Sequence, residues 1–315
     1  ESVQYLDIGE EFLDEDGNIP SDVMPDGLHP TEKGYQIWAE AVKEPLTKLL
    51  ESAGDDESKS ESTDDREEND EQVFSDRESA HAPIPRQDEN SRIAHEQLLK
   101  KTKQGTIDIY FQGDSITRRW GAIDYPKLLA HWKKNFYGWN AANFAWGGDN
   151  THNILWRMRN GELAGVSPKV IVLQAGTNNL PWRGPAEDKK VEEVVQGIKA
   201  ILDEFQKRLP ESTIVLTAVF PRTQNMELTR AIRKINKRIE TLADGKQIRF
   251  VNINNKLADE LGRLRPGISA DGLHLEQPGY DIWAEALKPH FEEILGPPAG
   301  EDNAPPPSGD PSSGR

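Results

Sequence analysis

Residues 107–117 read IDIYFQGDSIT, an apolar run that passes through a glycine into a serine. The run from Ile107 to Phe111 is rich in β-branched and aromatic side chains, which is typical of a strand buried on both faces. The glycine allows a tight turn, and the Asp and Ser that follow it favour the start of a helix. A buried strand that leads through a tight turn into a helix is the first half of a βαβ unit.

Four similar runs follow along the chain, separated by helix-like stretches. The predicted strands are Ile107–Phe111, Ala142–Trp146, Val170–Ala175, Ile214–Val219 and Ile248–Ile253, and a helix at Ser91–Lys103 leads into the first. The clearest helix has apolar residues on one face, at spacings of three, four and seven. They are Val191, Val194, Val195, Ile198, Leu202 and Phe205. Alternating strands and helices imply right-handed crossovers and a doubly wound parallel sheet.

Composition indicates that part of the chain does not fold. Only 35% of its 315 residues are hydrophobic, and its formal net charge is -16. Residues 51–80 contain 13 acidic and 3 basic residues. We predict that residues 51–90 form a self-repelling, disordered linker, with an acidic binding tail as the alternative. Residues 297–315, rich in Pro, Gly and Ser, are predicted to be a disordered tail.

Several classes of function are disfavoured. Since no basic patch interleaved with aromatic residues is found, we expect no nucleic-acid partner. No apolar run reaches the roughly 20 residues needed to cross a bilayer, so we expect no transmembrane segment. The absence of cysteine excludes disulfides, thiolate nucleophiles and cysteine-based metal sites. It does not fix the compartment, although a secreted or periplasmic location is slightly favoured over a cytoplasmic one.

The chain contains an internal repeat. Val3–Leu50 aligns without a gap on Ile248–Leu295, so that Asp26 and His29 fall on Asp271 and His274. We interpret residues 1–50 as the closing strand and helix of an upstream copy of the domain at 91–296. The alternative is that residues 1–50 dock in place of the matching segment, in this chain or in another copy, as in domain swapping.

Polar motifs follow the predicted strands at the reactive edge of such a sheet. Ser115 follows the first strand, near a helix N-terminus that favours negative charge. Gly148 follows the second, where glycine lets backbone N–H groups approach a developing oxyanion, and Asn178 after the third offers a further donor. Asp271 and His274 follow the fifth, at a spacing that lets the carboxylate orient an imidazole base.

Each motif also has an ordinary structural explanation. Gly-Asp-Ser is a common helix N-cap, a glycine pair forms simple turns, Asn forms side-chain turns, and an Asp/His pair forms surface hydrogen bonds. Their occurrence in order along one edge of one sheet favours a hydrolase site. The alternative from another class is a non-catalytic binding module on the same scaffold.

These motifs resemble the four blocks of the SGNH (GDSL-like) hydrolases: Gly-Asp-Ser, a glycine block, Gly-x-Asn-(Asp/Asn) and Asp-x-x-His. The stretches 143–149, 154–158 and 170–179 are especially similar to the catalytic subunits of platelet-activating-factor acetylhydrolase Ib and their bacterial relatives. The resemblance covers about residues 92–296. It implies the SGNH hydrolase fold, a flavodoxin-like three-layer α/β/α sandwich with a five-stranded parallel sheet.

The resemblance also implies roles for individual residues. Ser115 is the expected nucleophile, His274 the base and Asp271 the residue that orients it. The Ser115 N–H, Gly148 and Asn178 are the expected oxyanion donors, and neither a metal nor an organic cofactor is expected. Position 179 is Asn where many relatives have Asp, a departure of little consequence.

For substrate contacts we predict Asp114, Trp146, His152 and Trp182. The two tryptophans could stack on a sugar ring or merely cover the sheet. Because no broad apolar lid is evident, we expect a short acyl group, most simply acetyl, on a small molecule or a carbohydrate. A lipid or thioester acylhydrolase is the alternative.

Overall fold

The computed structural model describes residues 7–14, 16–25, 30–54 and 81–314. The chain divides into two compact units, Glu1–Asn69 and Asp70–Arg315, and each is treated by itself. Across the described ranges, no helix combines the length and the apolar character that a membrane span requires.

The described part of the first unit contains a 3₁₀ turn at Gly9–Phe12 and a helix, α1 (Glu32–Gly54). In the repeat, Tyr35 and Trp38 of α1 correspond to Tyr280 and Trp283. Tyr35 is 60% exposed and Trp38 is 51% exposed, whereas Tyr280 and Trp283 are both fully buried. Helix α1 therefore presents to solvent the aromatic positions that its counterpart uses in a core. Asp26 and His29 lie outside the described residues, as does the 55–80 part of the predicted linker.

The second unit alternates strands and helices, as predicted. Its strands are β1 (Ile109–Gly113), β2 (Ala141–Asn143), β3 (Val170–Gln174), β4 (Thr213–Thr217) and β5 (Ile248–Val251). Its helices are α2 (Glu89–Lys101), α3 (Ser115–Gly121), α4 (Pro126–Phe136), α5 (Thr151–Arg157), α6 (Asp188–Arg208), α7 (Thr229–Glu240), α8 (Asn254–Leu257) and α9 (Gln277–Leu295). Each strand overlaps its predicted run, although β2 ends three residues before the predicted Trp146.

The sheet is wholly parallel and has the order β2-β1-β3-β4-β5. Ile109 of β1 lies opposite Ala141 of β2 on one side and Val170 of β3 on the other. This is the flavodoxin-like order, whose ligand crevice opens where the strand order reverses, between β1 and β3. The sequence prediction of the fold is confirmed, and the residues that follow β1 and β3 lie at this crevice.

Two apolar layers enclose the sheet. Because side chains alternate along a strand, Tyr110 belongs to one layer, and Ile109 and Phe111 belong to the other. Helices α2, α5, α6 and α7 build the first layer, and the predicted apolar face of α6 is buried there. Helices α3, α4, α8 and α9 build the second, in which Trp120 and Trp283 are fully buried. The result is the predicted three-layer sandwich.

The C-terminal segment differs from the prediction of a disordered tail. The backbone carbonyl of Asn303 accepts a hydrogen bond from the Thr106 N–H at 2.8 Å, and the Ala299 N–H donates to Gly138 O at 2.9 Å. Farther along, Pro305–Pro307 line one cavity with aromatic side chains of α4. Proline needs no N–H partner and has a fixed φ, so a Pro-rich segment can pack in extended form without regular secondary structure. Composition alone does not separate this arrangement from disorder.

The other end of the domain also extends beyond the predicted boundary at residue 91. The Ile84 N–H donates to His152 O at 3.1 Å, and Arg86 Nη1 donates to Gly147 O at 3.1 Å. Asp88 caps α2 by accepting a hydrogen bond from the Ser91 N–H at 2.8 Å. Residues 81–90, predicted as the end of the linker, therefore pack against the domain.

Candidate active site

The turn between β1 and α3 places Ser115 at the start of a helix. A side chain at Gly113 would meet Gln174 O at 2.3 Å, so the close approach of β1 and β3 requires glycine. Asp114 caps α3 by accepting a hydrogen bond from the Ile116 N–H at 2.9 Å. Ser115 is the first residue of α3, where the helix offers no carbonyl partner to the backbone N–H. That N–H is therefore suited to hold an anion.

A chain of hydrogen bonds joins Ser115 to the loop before α9. The distance from Ser115 Oγ to His274 Nε2 is 2.9 Å, and that from His274 Nδ1 to Asp271 Oδ2 is 2.6 Å. With Nδ1 protonated towards Asp271, Nε2 is left as the acceptor of the serine proton. The structure thus brings together three residues that are 159 and 3 positions apart in sequence.

Hydrogen bonds keep the Asp271 carboxylate ionised, and burial favours the neutral form of the His274 imidazole. Partial burial alone would raise the pKa of Asp271, but hydrogen bonds from the His274 and Leu273 N–H groups and from the imidazole hold it well below its usual range. Burial lowers the pKa of His274; Asp271 opposes this shift, and the nearby Arg119 adds to it. Arg119 Nη1 lies 3.5 Å from Asp271 Oδ2. A neutral imidazole is the form that a general base requires.

The glycine block lies beside the serine. A Cβ placed on Gly147 would be 3.9 Å from Ser115 Cβ, and Gly148 has a φ of +77° that favours glycine. After β3, Asn178 Nδ2 donates a hydrogen bond to Asp149 O at 2.9 Å. The turn between β1 and α3 therefore meets the glycine loop, residues 144–149, and the Asn178 side chain is bonded to the end of that loop.

Among the predicted substrate contacts, only Trp182 has a freely exposed side chain. Asp114 is fully buried as a helix cap, and burial raises its pKa to about 7. Trp146 is 6% exposed, and its Nε1 donates to Ser91 Oγ at 2.8 Å. Direct substrate contact through these two side chains does not fit their positions. A hydrophilic Asp and an amphipathic Trp at strand ends resemble rim residues in sequence, but packing turns both inward.

His152 is also engaged by its neighbours. Its ring stacks on His81 at 3.6 Å between centroids, and its Nδ1 lies 2.7 Å from Ala82 O. Trp182, by contrast, is 59% exposed. The Arg222 guanidinium lies 5.6 Å from the Trp182 ring centroid and donates to Thr177 O at 3.1 Å. Arg222 thus supports the loop that carries Trp182.

Sequence reasoning missed Arg119, which contacts Asp271, and Arg86, which contacts the glycine block. The four-residue spacing from Ser115 to Arg119 puts the two on the same face of α3 and was the available signal for the first. Arg86 lies in a segment whose composition predicted a linker, so it gave no such signal. In the described ranges, no group of three or more His, Asp or Glu side chains is arranged to hold a metal ion.

Comparison with known proteins places this chain within a recognised family. The GDSL-like Lipase/Acylhydrolase family matches residues 111–282. Platelet-activating factor acetylhydrolase IB subunit alpha1 of Bos taurus is 29% identical over 219 residues, covering 69% of this chain and 89% of that protein. The alpha2 subunit of Homo sapiens is 30% identical over 203 residues, covering 64% of this chain and 82% of that protein.

Solved structures agree on the fold. A GDSL-like lipase from Bacteroides thetaiotaomicron has a TM-score of 0.50 at 24% identity, covering 66% of this chain and 98% of that one. A protein described as a platelet activating factor from Streptococcus pneumonia has a TM-score of 0.52 at 21% identity, covering 71% and 99%. The family match covers more than half of the chain and includes the turn between β1 and α3 and the Asp-x-x-His loop. This chain is therefore an ester-hydrolysing enzyme that belongs to the GDSL-like lipase/acylhydrolase family.

Proposed function

We propose that the protein is a serine esterase that removes a short acyl group, most simply acetyl, through Ser115, His274 and Asp271. The observation that carries the proposal is the hydrogen-bond chain, with 2.9 Å from Ser115 Oγ to His274 Nε2 and 2.6 Å from His274 Nδ1 to Asp271 Oδ2. It lies at the crevice of a doubly wound sheet, where ligands bind in such folds.

In the first step, His274 Nε2 takes the proton of Ser115 as Oγ attacks the ester carbonyl carbon. The Asp271 carboxylate stabilises the imidazolium that forms. The carbonyl oxygen becomes an oxyanion, and we assign its donors as the Ser115 N–H, the Gly148 N–H and Asn178 Nδ2. An amide nitrogen carries two N–H groups, so Asn178 can keep its bond to Asp149 O and still donate to the oxyanion.

The tetrahedral intermediate then collapses, and His274 returns its proton to the leaving alcohol. This leaves the acyl group on Ser115 and a neutral imidazole. In the second step, His274 Nε2 takes a proton from water, which attacks the acyl carbon. The same donors hold the second oxyanion, and collapse releases the acid and restores the serine hydroxyl.

The acyl preference rests on the relatives and on the exposed tryptophan. The two curated relatives described above carry the name acetylhydrolase, which suggests a two-carbon acyl group. Trp182, 59% exposed on the loop that follows Asn178, offers an aromatic face for stacking on a carbohydrate. These two features together favour an acetylated carbohydrate as the substrate.

The test compares wild-type protein with Ser115→Ala on p-nitrophenyl esters of two and ten carbons and on acetylated xylan and acetylated sialic acid. We expect Ser115-dependent hydrolysis, with a higher kcat/KM on the two-carbon ester, and acetate release from an acetylated carbohydrate. A preference for the ten-carbon ester would favour a lipid or thioester acylhydrolase. A wild-type protein as inactive as Ser115→Ala would favour a non-catalytic binding module.

We also propose that residues 1–50 are the closing strand and helix of another copy of this domain, and that residues 55–80 act as a spacer. The ungapped match to 248–295 supports the first part, as does the exposure of Tyr35 and Trp38, because their counterparts Tyr280 and Trp283 are core residues. The segment 1–50 contains no equivalent of Ser115, so it does not form a hydrolase site by itself. The alternative is that it docks in place of residues 248–295, in this chain or in another copy.

A further inference from the structure

A buried guanidinium joins two loops of the proposed site. Arg157, the last residue of α5, is 3% exposed. Its Nε donates to Asp149 Oδ2 at 2.7 Å, its Nη1 donates to Phe144 O at 3.0 Å, and its Nη2 donates to Gln112 Oε1 at 3.0 Å. Its Nη1 also contacts Glu162 Oε2. Each arm of the planar fork therefore has an acceptor, a geometry that lysine cannot reproduce.

Three of the four acceptors belong to the two segments that meet at the serine, which are the end of β1 and the glycine loop. Gln112 lies three residues before Ser115, and its Oε1 also accepts a hydrogen bond from the Gly113 N–H at 3.0 Å. Phe144 and Asp149 lie on either side of the glycine block, so both ends of that loop are tied to one side chain. Arg157 thereby fixes the distance between the β1–α3 turn, which carries Ser115, and the glycine loop.

Asp149 connects the glycine loop to Asn178. Its carboxylate is held by Arg157, while its backbone carbonyl accepts the Asn178 Nδ2 hydrogen bond at 2.9 Å. Asp149 directly follows Gly148 in sequence, so two of the three assigned oxyanion donors are adjacent to Asp149 or bonded to it. Arg86 reinforces the same loop, with Nη1 3.5 Å from Asp149 Oδ1.

The charges of this cluster are balanced. Burial alone would lower the pKa of Arg157, but the carboxylates of Glu162 and Asp149 hold it above its usual value, so the guanidinium stays charged. Burial raises the pKa of Asp149 to about 6, against the opposing charge of Arg157. Asp149 is therefore ionised in an assay buffer well above that pH.

We propose that Asp149 is a positioning residue that aligns the two oxyanion donors of Gly148 and Asn178, and that Arg157 holds it in place. Asp149 acts on the reaction only through these donors. The inference rests on the proposed function, because it presupposes that an oxyanion forms at Ser115. It predicts that Asp149 contributes more to the transition state than to substrate binding.

Glu162 provides a matched control. It is fully buried, contacts the same Arg157 guanidinium, and has its other oxygen 2.9 Å from His95 Nδ1. Glu162 contacts this guanidinium from the end of the turn Met158–Glu162 and not from either loop. Asp149→Asn and Glu162→Gln therefore replace two carboxylates on one guanidinium by amides of the same size, and only the first changes a loop of the site.

The experiment uses the full chain and measures kcat and KM on p-nitrophenyl acetate, and the unfolding temperature. It also measures the rate at which paraoxon phosphylates the protein, because the phosphoryl oxygen of paraoxon uses the same donors as the oxyanion. Rates are expressed per active site from the p-nitrophenol burst. We expect both variants to unfold at lower temperature. Asp149→Asn should lower kcat and the phosphylation rate by about 10- to 100-fold and change KM by less than about threefold. Glu162→Gln should lower kcat by less than about threefold.

Arg157→Lys is the third variant. It keeps the charge and loses the planar fork, so we expect a kcat loss like that of Asp149→Asn. If one of these two variants folds poorly, the other still tests the inference. Equal kcat losses in Asp149→Asn and Glu162→Gln, or unchanged kcat in Asp149→Asn or Arg157→Lys, overturn the inference. Wild-type hydrolysis that does not depend on Ser115 overturns the proposed function instead, and the Ser115→Ala control distinguishes the two failures.

Discussion

Replacing Asn178 by alanine removes one assigned oxyanion donor. A single donor of this kind stabilises the transition state by about 3 kcal/mol. At 1.36 kcal/mol for each factor of ten, the loss corresponds to a kcat about 150-fold lower. Because the donor acts on the oxyanion and not on the ground-state ester, KM should change little. The half-buried side chain also loses its hydrogen bond to Asp149 O, worth about 1 kcal/mol, which corresponds to a fall of about 2–4 °C in Tm.

The neighbouring Asn179 is the control for this change. Its Oδ1 accepts a hydrogen bond from the Thr151 N–H at 3.0 Å, and its Nδ2 donates to Thr151 Oγ1 at 2.9 Å. Its side chain is 8% exposed, so Asn179→Ala leaves buried polar groups without partners and should lower Tm more than Asn178→Ala. Initial rates on p-nitrophenyl acetate and thermal unfolding give both quantities. The oxyanion assignment is refuted if Asn178→Ala keeps kcat within about threefold while Ser115→Ala is inactive, or if Asn179→Ala loses more kcat.

Three further predictions concern charge, the repeat and the tail. Arg119→Gln removes a cation that disfavours the imidazolium form, so the pKa of His274 should rise and the acidic limb of the kcat/KM pH profile should move to higher pH. In the control Arg119→Lys, which keeps the positive charge, this limb should not move. A shift of the limb to lower pH in Arg119→Gln contradicts the prediction. His274→Ala should be equally inactive with and without residues 1–50, because the second unit already contains its own closing strand and helix; clearly higher activity of the longer form would establish replacement by His29. Deleting residues 297–314 should lower Tm, because their hydrogen bonds and packing are lost; an unchanged Tm in calorimetry would restore the prediction of a disordered tail.

The fold was predictable because it depends on periodicity along the chain. Runs such as 170–173 are apolar at every position, as strands covered by helices on both faces must be. The apolar face of α6 repeats at helical spacing and is buried as expected. The residues of the hydrogen-bond chain were predictable for a related reason, since parallel strands bring the loops at their carboxyl ends to one edge whatever their separation in sequence.

Contacts that depend on packing were not predictable. Trp146 and Trp182 both follow strands, yet Trp146 is buried against Ser91 and Trp182 is exposed. Arg157 and Asp149 are eight residues apart across the start of α5, and nothing in their spacing predicts a buried ion pair. The C-terminal segment has the composition of a disordered tail, and only its hydrogen bonds to the domain and the cavity that it lines with α4 reveal its packing.

The most direct test of the central claim is labelling of the wild-type protein with a fluorophosphonate probe, followed by mass spectrometry of the modified peptide. The probe reacts with a serine only when a base activates its hydroxyl. We predict a single adduct on Ser115, loss of esterase activity in proportion to labelling, and much slower labelling of His274→Ala. An adduct on another residue, or full activity in a completely labelled protein, would contradict the account.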